Sequence, residues 1–290
     1  MAIISERMLT ISQAVSADFE DVYPQLIQCF GSALTKEEWK KIFVSHWPSP
    51  EEFCGYKLLK DGVVKGYLGL LFSNRIIGGE SVTFCNLTSW CVAEDCRVHG
   101  LRLLLEALKL RDYTLTNFTA SPAAAEILRH FNFTEFSVDH RVLFPLPNLG
   151  TEDYVCEFDL LKIRDGLGDV EQTIFDDHQN LGCVHLLLRS SGGSSYLVLK
   201  KTKRKHFPFA KVHYLSNAEN FVGCIDRAMM KICARLRVLG VMVDERYLRG
   251  HRLQRSFSYP HQRKGYFKSS LALDHDQIDT LYSELVVLHS

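Results

Sequence analysis

The chain has no charge of either sign to spare: 34 Lys and Arg stand against 34 Asp and Glu in 290 residues. A balanced chain projects no long-range field, so nothing demands nucleic acid or another polyanion as partner. Long hydrophobic runs are missing as well. No apolar stretch approaches the roughly 20 residues that cross a bilayer as a helix. "MAIISERMLTISQAV" lacks a basic start followed by an apolar core, so neither a membrane span nor a secretory signal is expected. Metal-site spacing is absent too. Of the nine cysteines, Cys91 and Cys96 have four residues between them, but no second Cys or His pair follows at zinc-site distance, and no metal is expected. Most cysteines lie in apolar runs, where Cys acts as a small buried hydrophobe. That usage fits a reducing, cytoplasmic setting.

What is present is core-forming material, 46% hydrophobic against 23% charged. At about 100–200 residues per domain, the length suggests two domains. The spacing predicts a first strand in "MLTISQAV", a helix in "SADFEDVYPQLIQCF" capped by Ser16 or Asp18, and a second helix in "TKEEWKKIFV" capped by Thr35. Asp61-Gly62 and Gly78-Gly79 are turn dipeptides between three consecutive strands, the third being "SVTFCNLTSWCV". The period then changes from 2 to 3.6: helix "RLLLEALKL", strand "YTLTNFTA", helix "SPAAAEILRHF" with Ser121 as cap, and closing strand "NFTEFSVDHRVLFPL". Pro145, Pro147 and Gly150 mark a boundary, giving domains over 1–150 and 151–290. The second half repeats hairpin, strand, long helix and strand, with a last helix predicted in "DQIDTLYSELVVL". The fold class expected is α/β (α+β): two tandem domains, each a mixed, mostly antiparallel sheet flanked by helices.

The joint after the third strand reads Arg97-Val98-His99-Gly100-Leu101-Arg102. A helix start offers unpaired N–H groups, and a Gly lets a phosphate approach them. The same residues also suit an ordinary turn in which Gly100 permits close packing and the arginines face solvent. The wider segment "WCVAEDCRVHGLRLLLEAL" resembles the acyl-CoA-binding motif of the GCN5-related N-acetyltransferase (GNAT) superfamily, Val-x-Pro-x-x-Arg/Gln-x-x-Gly-x-Gly/Ala. Val92, Arg97 and Gly100 match it. Glu94 replaces the usual Pro, and Arg102 the usual Gly or Ala. "EILRHFNFTEF" resembles the family's "LY-x-x-x-GF" ending, with Asn132 at the Gly position, and "LYSEL" (Leu281 to Leu285) is similar to a tandem branch.

That resemblance implies a cofactor site of Cys91, Val92, Arg97, Val98, His99, Gly100, Leu101, Arg102 and Asn117, taking acetyl-CoA or another acyl-CoA as co-substrate. The strand end would hold the pantetheine arm and the turn the pyrophosphate, with Arg102 either pairing with that phosphate or obstructing it. Implied partners are a small-molecule amine or hydroxyl acceptor and, as an alternative donor, acyl carried on a carrier protein. No catalytic residue is assigned: Leu128 occupies the position of the family's acidic Tyr, and the third strand holds no Asp or Glu. In the second half "LSNAENFVGC" has a first-turn Glu219 that would repel a pyrophosphate, so that copy reads as degenerate. Tyr247, Arg249, His251 and Arg252 read as a loop near the cleft between domains, and the run "KKTKRKH" (Lys200 to His206) as a solvated strand edge. An acyltransferase is one reading; a catalytically inactive, ligand-binding GNAT-fold scaffold is the other.

Overall fold

Turn chemistry sets the first sheet. β1 (Leu9–Ala14), β2 (Gly55–Lys60), β3 (Val63–Ile77) and β4 (Glu80–Val92) run as an antiparallel meander. Asp61 and Gly62 take φ of 54° and 80° at the β2–β3 turn, the left-handed values that a two-residue hairpin requires. The computed structural model describes residues 9–145 and 154–288, apart from 249, 252, 254, 255, 261 and 262. Met8, Pro147, Gly150, Arg249 and Arg252 therefore lie outside the described residues.

Between β1 and β2 come α1 (Phe19–Phe30) and α2 (Lys36–Lys40), the latter capped by Thr35 as expected, with Glu38 completing a capping box. After β4 follow α3 (Leu101–Ala107), β5 (Thr114–Asn117) and α4 (Pro122–His130). Ser121 caps α4, and Asn132 stops it at φ 59°. The predicted single closing strand is in fact two, β6 (Thr134–Phe136) and β7 (His140–Leu143). They part at Ser137–Asp139, where the Ser137 hydroxyl donates to the Asp139 carboxylate and accepts from the Asp139 amide.

The second half adds β8 (Tyr154–Glu157), α5 (Leu160–Asp165), α6 (Asp169–His178), β9 (Val184–Ser190), β10 (Gly193–Arg204), β11 (Phe207–Leu215), α7 (Ala218–Leu236), β12 (Val241–Asp244), β13 (Ser256–Tyr259), β14 (Gly265–Lys268) and α8 (Glu284–Val287). The sheets are ordered β1-β2-β3-β4-β5-β14-β6 and β13-β7-β12-β11-β10-β9-β8. Each is antiparallel except at one pair, β4 with β5 and β11 with β12. Each half also lends one strand to the other. β14 lies between β5 and β6, and β7 lies between β12 and β13. Separating the halves would therefore break backbone ladders, not only side-chain packing.

One apolar cluster joins α3 and α4 to the outer face of the first sheet, through Leu58, Leu70, Leu87, Leu103, Leu104 and Leu128. A second, with Phe19, Leu26, Phe43, Tyr67, Phe175 and Tyr196, fills the space between the halves. The C-terminal stretch threads the same space. The predicted helix over 276–288 forms only in α8. The rest is held by side chains on both sheets: Arg75 to Asp279, His213 to Thr280, and Lys200 to the Val286 carbonyl. Ile278, Leu281, Ser283 and Val286 are each fully buried, so no solvent face remains to favour an amphipathic helix.

Burial there leaves histidines neutral. It pushes His185 down to about 4, and it pushes His213 well below its ordinary value, helped by the charges of Lys211 and Lys200. Unfolded, both titrate near ~6.5. Below that pH the unfolded chain binds more protons than the folded one, so acidification removes stability. Chemical denaturation at pH 7.5 and pH 5 should differ by about 2 kcal/mol for each such histidine. His185→Phe should weaken the dependence, and equal stabilities at the two pH values would contradict the assignment.

Candidate functional site

The first sheet is forked. β4 and β5 pair only at Phe84–Thr114, Cys85–Leu115 and Asn86–Thr116. Beyond Asn86 the β3–β4 register shifts between Tyr67 and Gly69, and Ser89 takes φ of 52°. That is a β-bulge, which bends its strand and re-aims the following residues. Asn117 spans the base of the fork: its Nδ2 donates to the Leu87 carbonyl at 2.8 Å, and its Oδ1 accepts from the Thr119 amide at 3.2 Å.

The outer limb of the fork, β4, ends at Cys91, buried, and Val92, half-buried. A 3-10 turn over Glu94–His99 leads to Gly100 at the start of α3. Gly100 has φ of −59°, so no left-handed conformation calls for it. Its role is clearance: a Cβ there would lie 3.0 Å from Val92 Cγ2 and 3.2 Å from the Arg97 carbonyl. The turn thus rests directly on the strand end, pinned by the Lys60–Asp95 ion pair at 2.7 Å. Its outer surface is open. Arg97, Leu101 and Arg102 are exposed, Val98 is 85% exposed, and His99 is half-buried. Neither Arg97 nor Arg102 is ion-paired among the described residues, and Arg102 stays out of the strand–helix joint. Eight of the nine residues singled out from the sequence therefore lie along one stretch from the end of β4 to the start of α3, with Cys91 and Gly100 buried beneath it and Asn117 on the opposite limb.

A carboxylate covers the fork from the other side. Glu284, 3% exposed, accepts hydrogen bonds from Asn86 Nδ2 and, at 2.6 Å, from Thr119 Oγ1. Thr116 Oγ1 in turn donates to Asn86 Oδ1 at 3.2 Å. Burial raises the Glu284 pKa, and the Thr119 and Asn86 donors only partly offset it. Asn86 and Thr116 are the last pair before β4 and β5 diverge, so the carboxylate stands where the sheet opens.

No protein-family model matches this chain, and no curated protein matches it by sequence. Solved structures match it by shape. A GCN5-related N-acetyltransferase from Anabaena variabilis superposes with TM-score 0.59 over 89% of this chain and 72% of its own, at 12% identity. A putative acetyltransferase from Pyrococcus horikoshii gives 0.55 over 97% of this chain and 96% of its own, at 14% identity. A tandem GNAT protein from the clavulanic acid biosynthesis pathway gives 0.55 over 92% of this chain and 100% of its own, at 13% identity. This chain has the tandem GNAT fold.

Within that fold Leu128 is a core residue, 1% exposed, and donates nothing. Glu284 was missed by sequence reasoning because it is remote from the fork in the chain; its one signal was the "LYSEL" resemblance. The run Lys200 to His206 is not wholly solvated either. Lys200 is buried, while Lys205 and His206 make the β10–β11 turn with φ of 47° and 72°. Tyr247 also turns inward, its hydroxyl donating to the His213 carbonyl at 3.1 Å, whereas His251 is exposed. A cavity of about 610 Å³ lies between the two sheets, bounded by Thr119 on the first and by Lys200, Lys211 and His213 on the second.

One thiol borders the fork. Cys29, exposed at the end of α1, is pushed down to about 6, chiefly by the Cys91 thiol, with Gln25, the Val92 carbonyl and Arg97 adding to it against partial burial. The buried Cys85 and Cys91 thiols are pushed well up. A thiolate is the reactive form. Iodoacetamide at pH 7 should therefore modify Cys29 first among the nine cysteines, as read by peptide mass spectrometry. First modification at Cys54 or Cys183 would contradict this.

Proposed function

We propose that the chain is an acyl-CoA-dependent acyltransferase with one working site, in the first of two tandem units over 1–150 and 151–290. The donor is acetyl-CoA or another acyl-CoA, with acyl carried on a carrier protein as the alternative. The acceptor is a small amine or, less readily, a hydroxyl. Cys91 and Val92 would flank the pantetheine arm, and the turn from Arg97 to Arg102 the pyrophosphate, with both arginines exposed and able to pair with it. Asn117 would border the thioester from the other limb. Among the described residues no helix is long and apolar enough to cross a membrane, which is compatible with a cytoplasmic enzyme.

The observation that carries the reading is a proton acceptor at the fork. Glu284 supplies a carboxylate at the fork, where β4 has none; its only acidic residue, Glu80, stands at its far end. The acceptor nitrogen attacks the thioester carbonyl carbon, and its proton passes to Glu284 directly or through one water. The carbon–sulfur bond then breaks, and the CoA thiolate takes a proton from solvent. Burial that raises the Glu284 pKa makes it a stronger base than an exposed carboxylate. The scaffold reading keeps one observation in its favour: with Leu128 in the core, no side chain has been identified to protonate the thiolate.

Acetyl-CoA at 100 times its Kd should raise stability by about 2.7 kcal/mol, and Arg97→Glu should reduce the effect. Glu284→Gln should leave acetyl-CoA affinity intact and lower kcat by about 100-fold or more. The acid limb of the wild-type pH profile should lie above ~4.3, where an ordinary Glu titrates, because only the ionised carboxylate accepts a proton. Binding without turnover across an amine panel would favour the scaffold, and no binding of any acyl-CoA would defeat both readings.

A further inference from the structure

The second sheet carries unbalanced charge into the space between the halves. Among the described residues around the 610 Å³ cavity are six Lys or Arg and one carboxylate, Asp244. That carboxylate is already engaged: Arg246 Nε lies 3.0 and 3.1 Å from its two oxygens, and Nη2 lies 2.7 Å from one of them. Lys200 is engaged too, by the Val286 carbonyl. The Lys211 side chain makes no hydrogen bond or ion pair among the described residues. Arg204 Nε is buried without a partner, while its guanidinium lies over the Tyr259 ring at 5.8 Å. A half-buried cation held in no ion pair is costly, and an anion arriving beside it lowers that cost. Burial accordingly pushes Lys211 down to about 8, with Arg204 and Arg246 opposing the pull of Asp244 and Glu284.

The position of Lys211 gives the cavity a direction. In the second sheet Lys211 pairs with Met242 in the last parallel pair, as Asn86 pairs with Thr116 in the first. Where the first fork presents an amide to Glu284, the second presents an ammonium to the cavity. The opposite wall is Thr119, whose hydroxyl donates to Glu284. We propose that the cavity is an anion-binding site centred on Lys211, which holds the carboxylate or phosphate of the acyl acceptor while its nucleophilic end reaches the Thr119 wall. The class of acceptor follows: a small molecule with a nucleophile at one end and a carboxylate or phosphate at the other. This assignment rests on the transferase reading only for the acceptor's role, since the anion site is measurable without turnover.

The test is calorimetric titration of the full chain with inorganic phosphate and, separately, succinate. The variants are Lys211→Met, Arg204→Gln and Arg97→Glu, each checked for a native melting transition. Binding weakened at least tenfold by Lys211→Met and by Arg204→Gln, and unchanged by Arg97→Glu, supports the site. Preference for phosphate or for succinate then identifies the acceptor's anionic group. Absence of binding by either anion, or equal affinity in wild type and Lys211→Met, overturns it, as does loss confined to Arg97→Glu. Should acetyl-CoA fail to bind while these anions do, the transferase reading falls and the anion site stands.

Discussion

A carboxylate taken out of water must be given donors, and the donors available to Glu284 come from two strands of the other half of the molecule. Asn86 stands on β4, and Thr119 follows β5. Losing either would leave charge or lone pairs stranded between two sheets, at a cost of about 1–3 kcal/mol or more. The C-terminal stretch therefore cannot slide by one residue without unmaking this contact and its neighbours, Asp279 on Arg75 and Thr280 on His213. The buried position of the tail and the chemistry assigned to the fork depend on the same few hydrogen bonds.

The strand exchange supports this arrangement. β7 and β14 each complete the sheet of the other half, which ties the two sheets together through backbone ladders. The two halves then differ in what they place at equivalent points. One has Asn86 with Glu284 over it; the other has Lys211 and an open cavity. Two like sheets thus present unlike groups to the interior, a buried carboxylate at one and positive charge at the other. Asn217 caps α7 and Glu219 occupies its first turn, an electrostatic setting that disfavours a second pyrophosphate.

Much of the fold was legible because local rules and tertiary structure agree there. Asp61-Gly62, Thr35 with Glu38, Ser121 with Pro122, and Asn132 each act in the way their chemistry dictates. The change of period after Val92 located the turn that carries most of the candidate cofactor surface. Elsewhere, contacts distant in sequence decided the outcome. "DQIDTLYSELVVL" has a helical pattern yet forms only short helical pieces joined by turns, because both of its faces are buried against different sheets. The stretch after Asn132 reads as one strand but divides between two sheets at Ser137–Asp139. Lys200 looks solvated in "KKTKRKH", but strand alternation turns it inward. The buried carboxylate was invisible for the same reason: Glu284 is 198 residues from Asn86 in the chain.

The central claim is that one reaction centre is assembled from both halves, with Glu284 over the β4–β5 fork. A crystal structure of the full chain with acetyl-CoA tests it most directly. The account predicts the thioester inside the fork beyond Asn86 and Thr116, the pyrophosphate at the Arg97–Arg102 turn, and the Glu284 carboxylate within one water of the acetyl carbonyl. Acetyl-CoA bound at the start of α7, or in the first fork with Glu284 walled off from the thioester, would contradict it.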